Sequence, residues 1–220
     1  MKTERSLQRV RAWFPDDPAC PCLEALGEGL SRGQARRMSV LGRLLYGLLR
    51  GEAVDPAEPL VYGTAFAEAR ALETYLRSLP AASPTAFQTS IHPSALQQAL
   101  IARGQPVGHL VPLAGEDDLA ARACLCALLS PAPAGLLLLG EETGTWLLDH
   151  GLASRDTWAV LLRWGPGDTE EPVADLTVDF TAPAPAPVVS TRAFAQALHE
   201  HRAVELAAPG GGCIRFQPRS

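Results

Sequence analysis

Hydrophobic residues along the chain follow two patterns, a helical recurrence every three or four positions and short apolar runs bounded by turn residues. The first pattern predicts helices over 39–50, 65–79, 93–103, 117–129 and 191–201. The second predicts strands over 9–14, 60–62, 107–113, 135–139, 158–164, 175–180 and 213–216. Strands and helices alternate through most of this order, which is typical of a layered α/β fold.

The later part of the chain changes this pattern, because strands there follow one another with fewer helices between them. We therefore expect one domain over 1–220, whose sheet is mixed or antiparallel in its later part. The run 182–187 alternates alanine with proline, so it is expected to be an extended spacer before a C-terminal helix and strand. The helix segment 119–129 is apolar nearly all round and should be buried.

Composition and charge narrow the classes of function. The 220 residues are 47% hydrophobic and 20% charged, which suits a soluble globular domain. A formal net charge of -5 argues against nucleic acid as a partner, since nucleic-acid binders concentrate positive charge. The stretch 123–140 carries no charged side chain, but Pro131 and Pro133 interrupt it. Two prolines would break a spanning helix, so no membrane span is expected.

The five cysteines form two close pairs and one single residue: Cys20 with Cys22, Cys124 with Cys126, and Cys213. Paired ligands of structural zinc sites are usually separated by about two residues or more, and each pair here is separated by a single residue. Positions i and i+2 of a helix also point in different directions. The first twenty residues carry charges throughout, so no leader is indicated. We expect free thiols in a cytoplasmic protein that uses no metal and no other cofactor.

Two polar segments are candidates for catalytic groups. His92 precedes a predicted helix, where it is either a residual functional histidine or a residue that caps the helix or packs beside the sheet. Ser90 lacks the flanking glycines of a nucleophile elbow. The acidic run Glu116-Asp117-Asp118 has three interpretations: a cation-binding group, two carboxyl groups that act as acid and base, or the solvated start of a helix. These alternatives stay open at the level of sequence.

A family resemblance is carried by four segments. The sequence Ser-Pro-Thr-Ala-Phe-Gln-Thr-Ser-Ile-His over 83–92 resembles a stretch of the beta-ketoacyl synthase N-terminal domain, in a short, divergent, chain-length-factor-like branch found with aryl polyene pathways. Similar pieces are Ala-Trp-Phe-Pro-Asp over 12–16, Arg-Arg-Met-Ser over 36–39, and Tyr-Gly-Thr over 62–64 with Glu68. The resemblance covers about residues 9 to 180. It implies an α/β, thiolase-like half-domain with a mixed sheet of about five strands layered between helices.

The resemblance also implies where a catalytic centre would lie. Active members place a nucleophilic cysteine at the start of the helix that follows the strand over 107–113, and Gly115 occupies that position here. A shift of register by one or two residues brings Glu116 or Asp117 there instead, and neither forms a thioester. Active members also use two histidines from a second half, which we expect to be missing from this chain. A degenerate, non-catalytic site at these three residues is the expectation.

An association surface follows from the same resemblance. In the family the strand before the nucleophile turn pairs with its mate in a dimer, which assigns His109, Leu110 and Val111 to the interface. We expect a homodimer or a heterodimer with an intact ketosynthase, and an acyl carrier protein as a further partner. The implied function is an accessory, chain-length-factor-like role in fatty acid or polyketide biosynthesis of aryl polyene type. The alternative is an acyl transferase or thioesterase whose relocated site uses His92 with the acidic turn.

Overall fold

The computed structural model describes residues 2–115, 118–165 and 171–219. The strands are β1 (Lys2–Trp13), β2 (Pro59–Thr64), β3 (His109–Ala114), β4 (Gly135–Glu141), β5 (Trp158–Trp164), β6 (Ala174–Asp179), β7 (Val204–Ala207) and β8 (Cys213–Pro218). The helices are α1 (Leu23–Leu26), α2 (Arg32–Arg37), α3 (Val40–Leu48), α4 (Ala69–Arg77), α5 (Pro84–Thr89), α6 (Ser94–Arg103), α7 (Leu119–Leu129) and α8 (Thr191–His199), with a 3-10 helix at Trp146–His150. These elements form a layered α/β structure.

The described strands join in one mixed sheet with the order β3-β2-β4-β5-β1-β6-β8-β7. Strand β2 runs parallel to both β3 and β4, and every later pairing is antiparallel. The predicted α/β class with a mixed sheet is therefore confirmed. The expected number of about five strands was wrong, because eight strands share the sheet.

The length of β1 explains the larger sheet. The second half of β1 pairs with β5, while its first half, from Lys2 to Leu7, pairs with β6. Strand β6 pairs with the edge of β1 opposite to β5, and β8 and β7 continue the sheet beyond β6. The first half of β1 is mostly polar, so hydrophobic alternation predicts a strand only from residue 9 onward.

The sheet has a hydrophobic core on each face, because successive strand residues point to opposite sides. Leu137 and Leu139 of β4 lie in the core that contains α7 and α8. Leu136 and Leu138 lie in the other core, with α3 and α6. Helix α7 buries most of its side chains, in agreement with its nearly uniform apolar sequence. The result is a sheet covered by helices on both faces.

The parallel strands bring three chain segments to one edge of the sheet. In register, Thr64 at the end of β2 lies opposite Ala114 at the end of β3, and Gly63 lies opposite Leu139 of β4. The residues that follow these strands therefore emerge side by side, as ligand-binding loops do in open α/β sheets. In the parts of the chain that are described, no helix is long and apolar enough to cross a membrane.

Candidate functional site

The turn after β3 contains Gly115, the position that the sequence resemblance assigns to a nucleophile. Gly115 has a φ of +137°, a conformation that favours glycine. Arg122 of α7 donates through Nη2 to the carbonyl of the last β3 residue at 3.2 Å, and it pairs with Asp118 at 2.8 Å. A side chain at position 115 would meet this guanidinium group. The described part of the turn thus presents a cation and no thiol, while Glu116 and Asp117 lie outside the described residues.

Two cysteines lie further along α7, Cys124 and Cys126. Burial raises the pKa of the Cys124 thiol far above its ordinary value, and Cys126 adds to the rise. Burial also raises the pKa of the half-buried Cys126, although the Arg122 guanidinium opposes this change. Only a thiolate is a strong nucleophile, so burial works against nucleophilic reaction at both sulfur atoms.

His92 belongs to a buried polar cluster at the carboxyl end of β2. Its ring stacks on Tyr62 with the ring centroids 5.1 Å apart, and its Nδ1 lies 3.1 Å from Oε2 of Glu68. The other Glu68 oxygen accepts the backbone N–H of Ala95, in the first turn of α6, at 3.1 Å. The Glu68 side chain is 3% exposed and that of His92 is 16% exposed. His92 and Glu68 together therefore connect the sheet to the start of α6.

The cluster offers His92 no nucleophile to activate. Oγ of Ser90 donates to the Phe87 carbonyl at 2.8 Å and closes the end of α5, so Ser90 and His92 do not form a catalytic pair. Within the described ranges, Nε2 of His92 and the hydroxyl of Tyr62 are buried and have no hydrogen-bond partner. Burial raises the pKa of Tyr62, and the charge of Glu68 adds to this effect. The phenol therefore stays protonated.

A second buried carboxyl group lies at the end of β4. Glu141 is 4% exposed and accepts hydrogen bonds from the Thr64 hydroxyl at 3.0 Å and from the backbone N–H of Ala65. Burial raises the pKa of Glu141 to about 7, although these hydrogen bonds favour the charged form. The next residue, Glu142, accepts a backbone N–H from the first turn of α3 at 3.1 Å, and burial raises its pKa as well.

Glu73 of α4 likewise accepts backbone N–H groups at the start of a helix, here the 3-10 helix Trp146–His150. Its carboxylate accepts the backbone N–H and the hydroxyl of Thr145, both at 2.6 Å, and the backbone N–H of Leu147 at 3.0 Å. Burial disfavours the charge, yet these hydrogen bonds prevail and lower the pKa of Glu73. Glu68, Glu73 and Glu142 therefore each satisfy N–H groups at the start of a different helix, which the helix itself leaves unpaired.

A cavity of about 380 Å³ opens beside Glu141. Its lining includes Phe66, Trp158 and Val188, together with Thr191 at the start of α8. The Thr191 hydroxyl is buried and makes no hydrogen bond to any described group. The cavity thus places one carboxyl with a raised pKa and one free hydroxyl against an apolar wall. This chemistry suits a small, mainly apolar ligand with a polar end.

Strand β3 forms one edge of the sheet. It pairs with β2, and the described part of the chain supplies no strand on its other side. His109 is exposed, while Leu110 and Val111 are half-buried. Between β3 and α7 lies a groove of about 540 Å³, whose apolar lining includes Val111, Leu125 and the half-exposed Leu129. An open edge beside an apolar groove is typical of surfaces that pair with another chain.

Comparison with known proteins identifies the fold. No family model matches the sequence, and no curated protein is significantly similar to it. The chain aligns over 99% of its length with 99% of a chain in the complex of a ketosynthase (ApeO) with its chain length factor (ApeC) from Xenorhabdus doucetiae, at 17% identity and a TM-score of 0.64. The fold is ketosynthase-like. A second match, at 13% identity and a TM-score of 0.59, covers 92% of this chain and 86% of a chain of the ishigamide ketosynthase/chain length factor.

The ketosynthase-like fold confirms the resemblance stated from the sequence, at the level of the fold. Sequence reasoning found Gly115 and His92 but missed how the buried glutamates act. Glu68 was named only as part of the family resemblance, and Glu141 was not singled out. The sequence did contain an indication for Glu141, because it is the one acidic residue of an otherwise apolar strand. Such a residue must either be exposed or find hydrogen-bond partners when it is buried.

Proposed function

We propose that the chain is a non-catalytic, ketosynthase-like accessory subunit that pairs with a catalytic ketosynthase in polyketide biosynthesis, in the manner of a chain length factor. The observation that carries the proposal is the turn after β3. There Gly115 has a backbone conformation suited to glycine, and Arg122 occupies the space into which a nucleophile would project. A ketosynthase-like fold without this nucleophile has the scaffold for association and lacks the group for condensation.

The extent of the structural match supports the same proposal. The aligned chain of the Xenorhabdus doucetiae complex is covered over 99% of its length, so it has nearly the same extent as this chain. That complex joins a ketosynthase to a chain length factor. By analogy, this chain would serve a polyketide pathway of the aryl polyene type and would meet an acyl carrier protein through its partner.

The edge strand supplies the surface for this association. We propose that His109, Leu110 and Val111 pair with the corresponding strand of a catalytic ketosynthase, or of a second copy when no ketosynthase is present. Pairing would satisfy the open backbone groups of β3 and cover the groove beside Leu129. Pro112 lacks an amide donor, and this suits an edge position in which one hydrogen bond is left out.

The alternative, an acyl transferase or thioesterase that uses His92 with the acidic turn, finds no support in the cluster. The described neighbours of the imidazole are a carboxylate and a phenol, from Glu68 and Tyr62. An active site relocated to His92 needs a nucleophile, a hydroxyl or a thiol, within hydrogen-bond reach of the imidazole. Ser90, two residues away in sequence, donates its proton elsewhere.

An association experiment tests the proposal. The protein is mixed with a catalytic ketosynthase from the same organism and studied by sedimentation velocity. We expect a one-to-one complex whose affinity falls at least about tenfold in Leu129→Glu, because a charge enters an apolar interface. Leu152→Glu is the matched control, since Leu129 is 51% exposed and Leu152 is 58% exposed but lies outside the groove. Absence of a complex, or equal weakening by both variants, would contradict the proposal.

Leu129 is a cleaner probe than Leu110 for this purpose. Leu110 packs against the hydrophobic core on the α3 and α6 side of the sheet, so a charge there would also disturb folding. Leu129 ends α7 and is half exposed, so its replacement changes the surface with little effect on the core.

A further inference from the structure

Three side chains with metal-binding chemistry meet where the turn after β1 approaches the end of α8. Asp17, Cys20 and His199 each contribute one atom, a carboxylate oxygen, a sulfur and an imidazole nitrogen, and these atoms lie within 4.8 Å of one another. Nε2 of His199 lies 2.7 Å from Oδ2 of Asp17, and Sγ of Cys20 lies 3.6 Å from the same oxygen. All three residues are half-buried.

We propose that Asp17, Cys20 and His199 form a zinc site, in which a water molecule supplies the fourth ligand. Ligand atoms of a tetrahedral zinc ion are about 2.0–2.3 Å from the metal and therefore roughly 3.3–3.8 Å from one another. The separations in this cluster differ from that range by about 1 Å or less, so small side-chain rotations bring the three atoms into place. This site is independent of the function proposed above.

The chemistry of the three ligands selects the metal. Thiolate and imidazole are ligands that zinc prefers, whereas magnesium and calcium take oxygen ligands. Three protein ligands of mixed type leave one coordination position open, as in zinc sites that keep a bound water molecule. The residues come from two segments at opposite ends of the chain, so a bound ion would tie the turn after β1 to α8.

Neighbouring groups hold the ligands in position. The other oxygen of Asp17 accepts the backbone N–H of Ala19 at 2.8 Å, which leaves Oδ2 to face the site. Sγ of Cys20 accepts the backbone N–H of Phe14 at 3.5 Å. The Phe14 ring packs against the His199 imidazole with the centroids 5.1 Å apart. Such outer contacts orient the ligands of metal sites.

A catalytic thiol is the weaker interpretation of the same cluster. The Cys20 thiol donates to Asp17, and Asp17 in turn pairs with His199, so the carboxylate stands between the sulfur and the only imidazole of the group. A nucleophilic thiol requires the base next to it. Burial raises the pKa of Cys20, and the charge of Asp17 adds to the rise, whereas a bound zinc ion would hold the sulfur as thiolate.

Cobalt titration of the full-length, reduced and chelator-treated protein tests the site. Cobalt(II) takes the same ligands as zinc and gives absorption bands that report them. We expect one equivalent to bind with a near-ultraviolet charge-transfer band from thiolate to cobalt and with the visible bands of a four-coordinate ion. Addition of zinc should remove both signals, and zinc should raise the melting temperature, since a ligand that binds only the folded state stabilises it.

Four variants assign the ligands. Cys20→Ser should lose the charge-transfer band and the rise in melting temperature. His199→Gln and Asp17→Asn should weaken metal affinity by at least about tenfold, the smallest effect expected for groups of a metal site. Cys22→Ser is the matched control and should bind as the wild type does, because this exposed thiol lies in the same turn but outside the group.

The melting temperature of each metal-free variant establishes that it folds, so that lost binding is separated from lost structure. A wild-type protein that gives no thiolate band would overturn the proposal. Binding that survives Cys20→Ser, or that fails equally in Cys22→Ser, would overturn it too.

Discussion

The ends of three adjacent strands of the sheet, β3, β2 and β4, carry two opposite kinds of polar chemistry. The end of β3 leads into Gly115 and a half-exposed ion pair between Arg122 and Asp118. The ends of β2 and β4 lead into buried groups, among them the carboxyl groups of Glu68 and Glu141. The buried acids satisfy backbone N–H groups of other elements, whereas the ion pair beside the described part of the turn after β3 is half exposed. The comparison separates buried carboxyl groups, on which other buried groups depend, from a half-exposed ion pair beside the described part of the turn after β3.

The difference has a physical basis in the cost of burying polar groups. A carboxylate inside the protein is tolerated only when its oxygens are hydrogen-bonded, so Glu68 and the groups that it holds depend on one another. A surface turn has no such dependence, because water replaces any partner that is lost. The half-exposed ion pair between Arg122 and Asp118 therefore contributes less to the stability of the fold than the buried carboxyl groups do.

The largest effect is expected from Glu68→Ala. This change leaves the Ala95 N–H and Nδ1 of His92 without their partner in a buried place. Each unpaired group costs about 1–3 kcal/mol, so the free energy of unfolding should fall by about 3–4 kcal/mol in urea denaturation. Glu28→Ala, whose side chain is 80% exposed, should cost less than about 0.5 kcal/mol. Equal losses in both variants would break the comparison.

A pH-dependent effect of similar size is expected at Glu141. Its pKa is raised from 4.5 to about 7 by burial, so the folded protein keeps a proton that the unfolded chain releases as the pH rises from 4.5 towards 7. Stability contributed by this group is therefore present at low pH and is lost across that window. The difference corresponds to about 3 kcal/mol.

Glu141→Gln removes this titration while keeping the shape of the side chain. The stability of the variant relative to wild type should rise by up to about 3 kcal/mol between pH 5 and pH 8, measured by urea denaturation at each pH. Glu28→Gln is the exposed control and should follow the wild-type curve. Parallel pH curves for wild type and Glu141→Gln would show that this carboxyl ionises as freely in the folded state as in the unfolded chain.

A smaller effect is expected at Gly115. Alanine there must adopt a positive φ and displace the Arg122 guanidinium, so Gly115→Ala should cost about 1–2 kcal/mol. Gly33 provides a matched contrast, because it also lies near an arginine but has helical geometry. Gly33→Ala should be neutral or stabilising by up to about 1 kcal/mol. A harmless Gly115→Ala change would mean that the turn can accept a side chain after all.

Local patterns in the sequence were sufficient to predict most of the longer helices and strands. Strand 158–164 coincides with β5, and helix 93–103 differs from α6 by one residue. The four-residue strand β7 was missed, because Val204–Ala207 is too short for alternation to stand out. The short helices α1, α2 and α5 were missed as well, since fewer than two turns give no clear helical period.

The contacts within the candidate site were harder to predict from the sequence than the helices and strands were. Spacing along the chain can reveal residues on one helix or strand, but Glu68 meets His92 although the helices α4 and α5 lie between them in sequence. Cys20 and His199 come together because α8 packs against β1, whose following turn contains Cys20. Only the family resemblance pointed to Gly115, because a single glycine forms no catalytic pattern of its own.

The central claim is that this chain forms no acyl intermediate on its own residues. Incubation with malonyl-carrier protein and an acyl donor, followed by intact-mass measurement and assay of carbon dioxide release, tests that claim most directly. We expect an unchanged protein mass and no carbon dioxide above a control without the protein, since burial raises the pKa of both thiols in α7 and Gly115 offers no nucleophile. A stoichiometric acyl adduct on any cysteine would contradict the account.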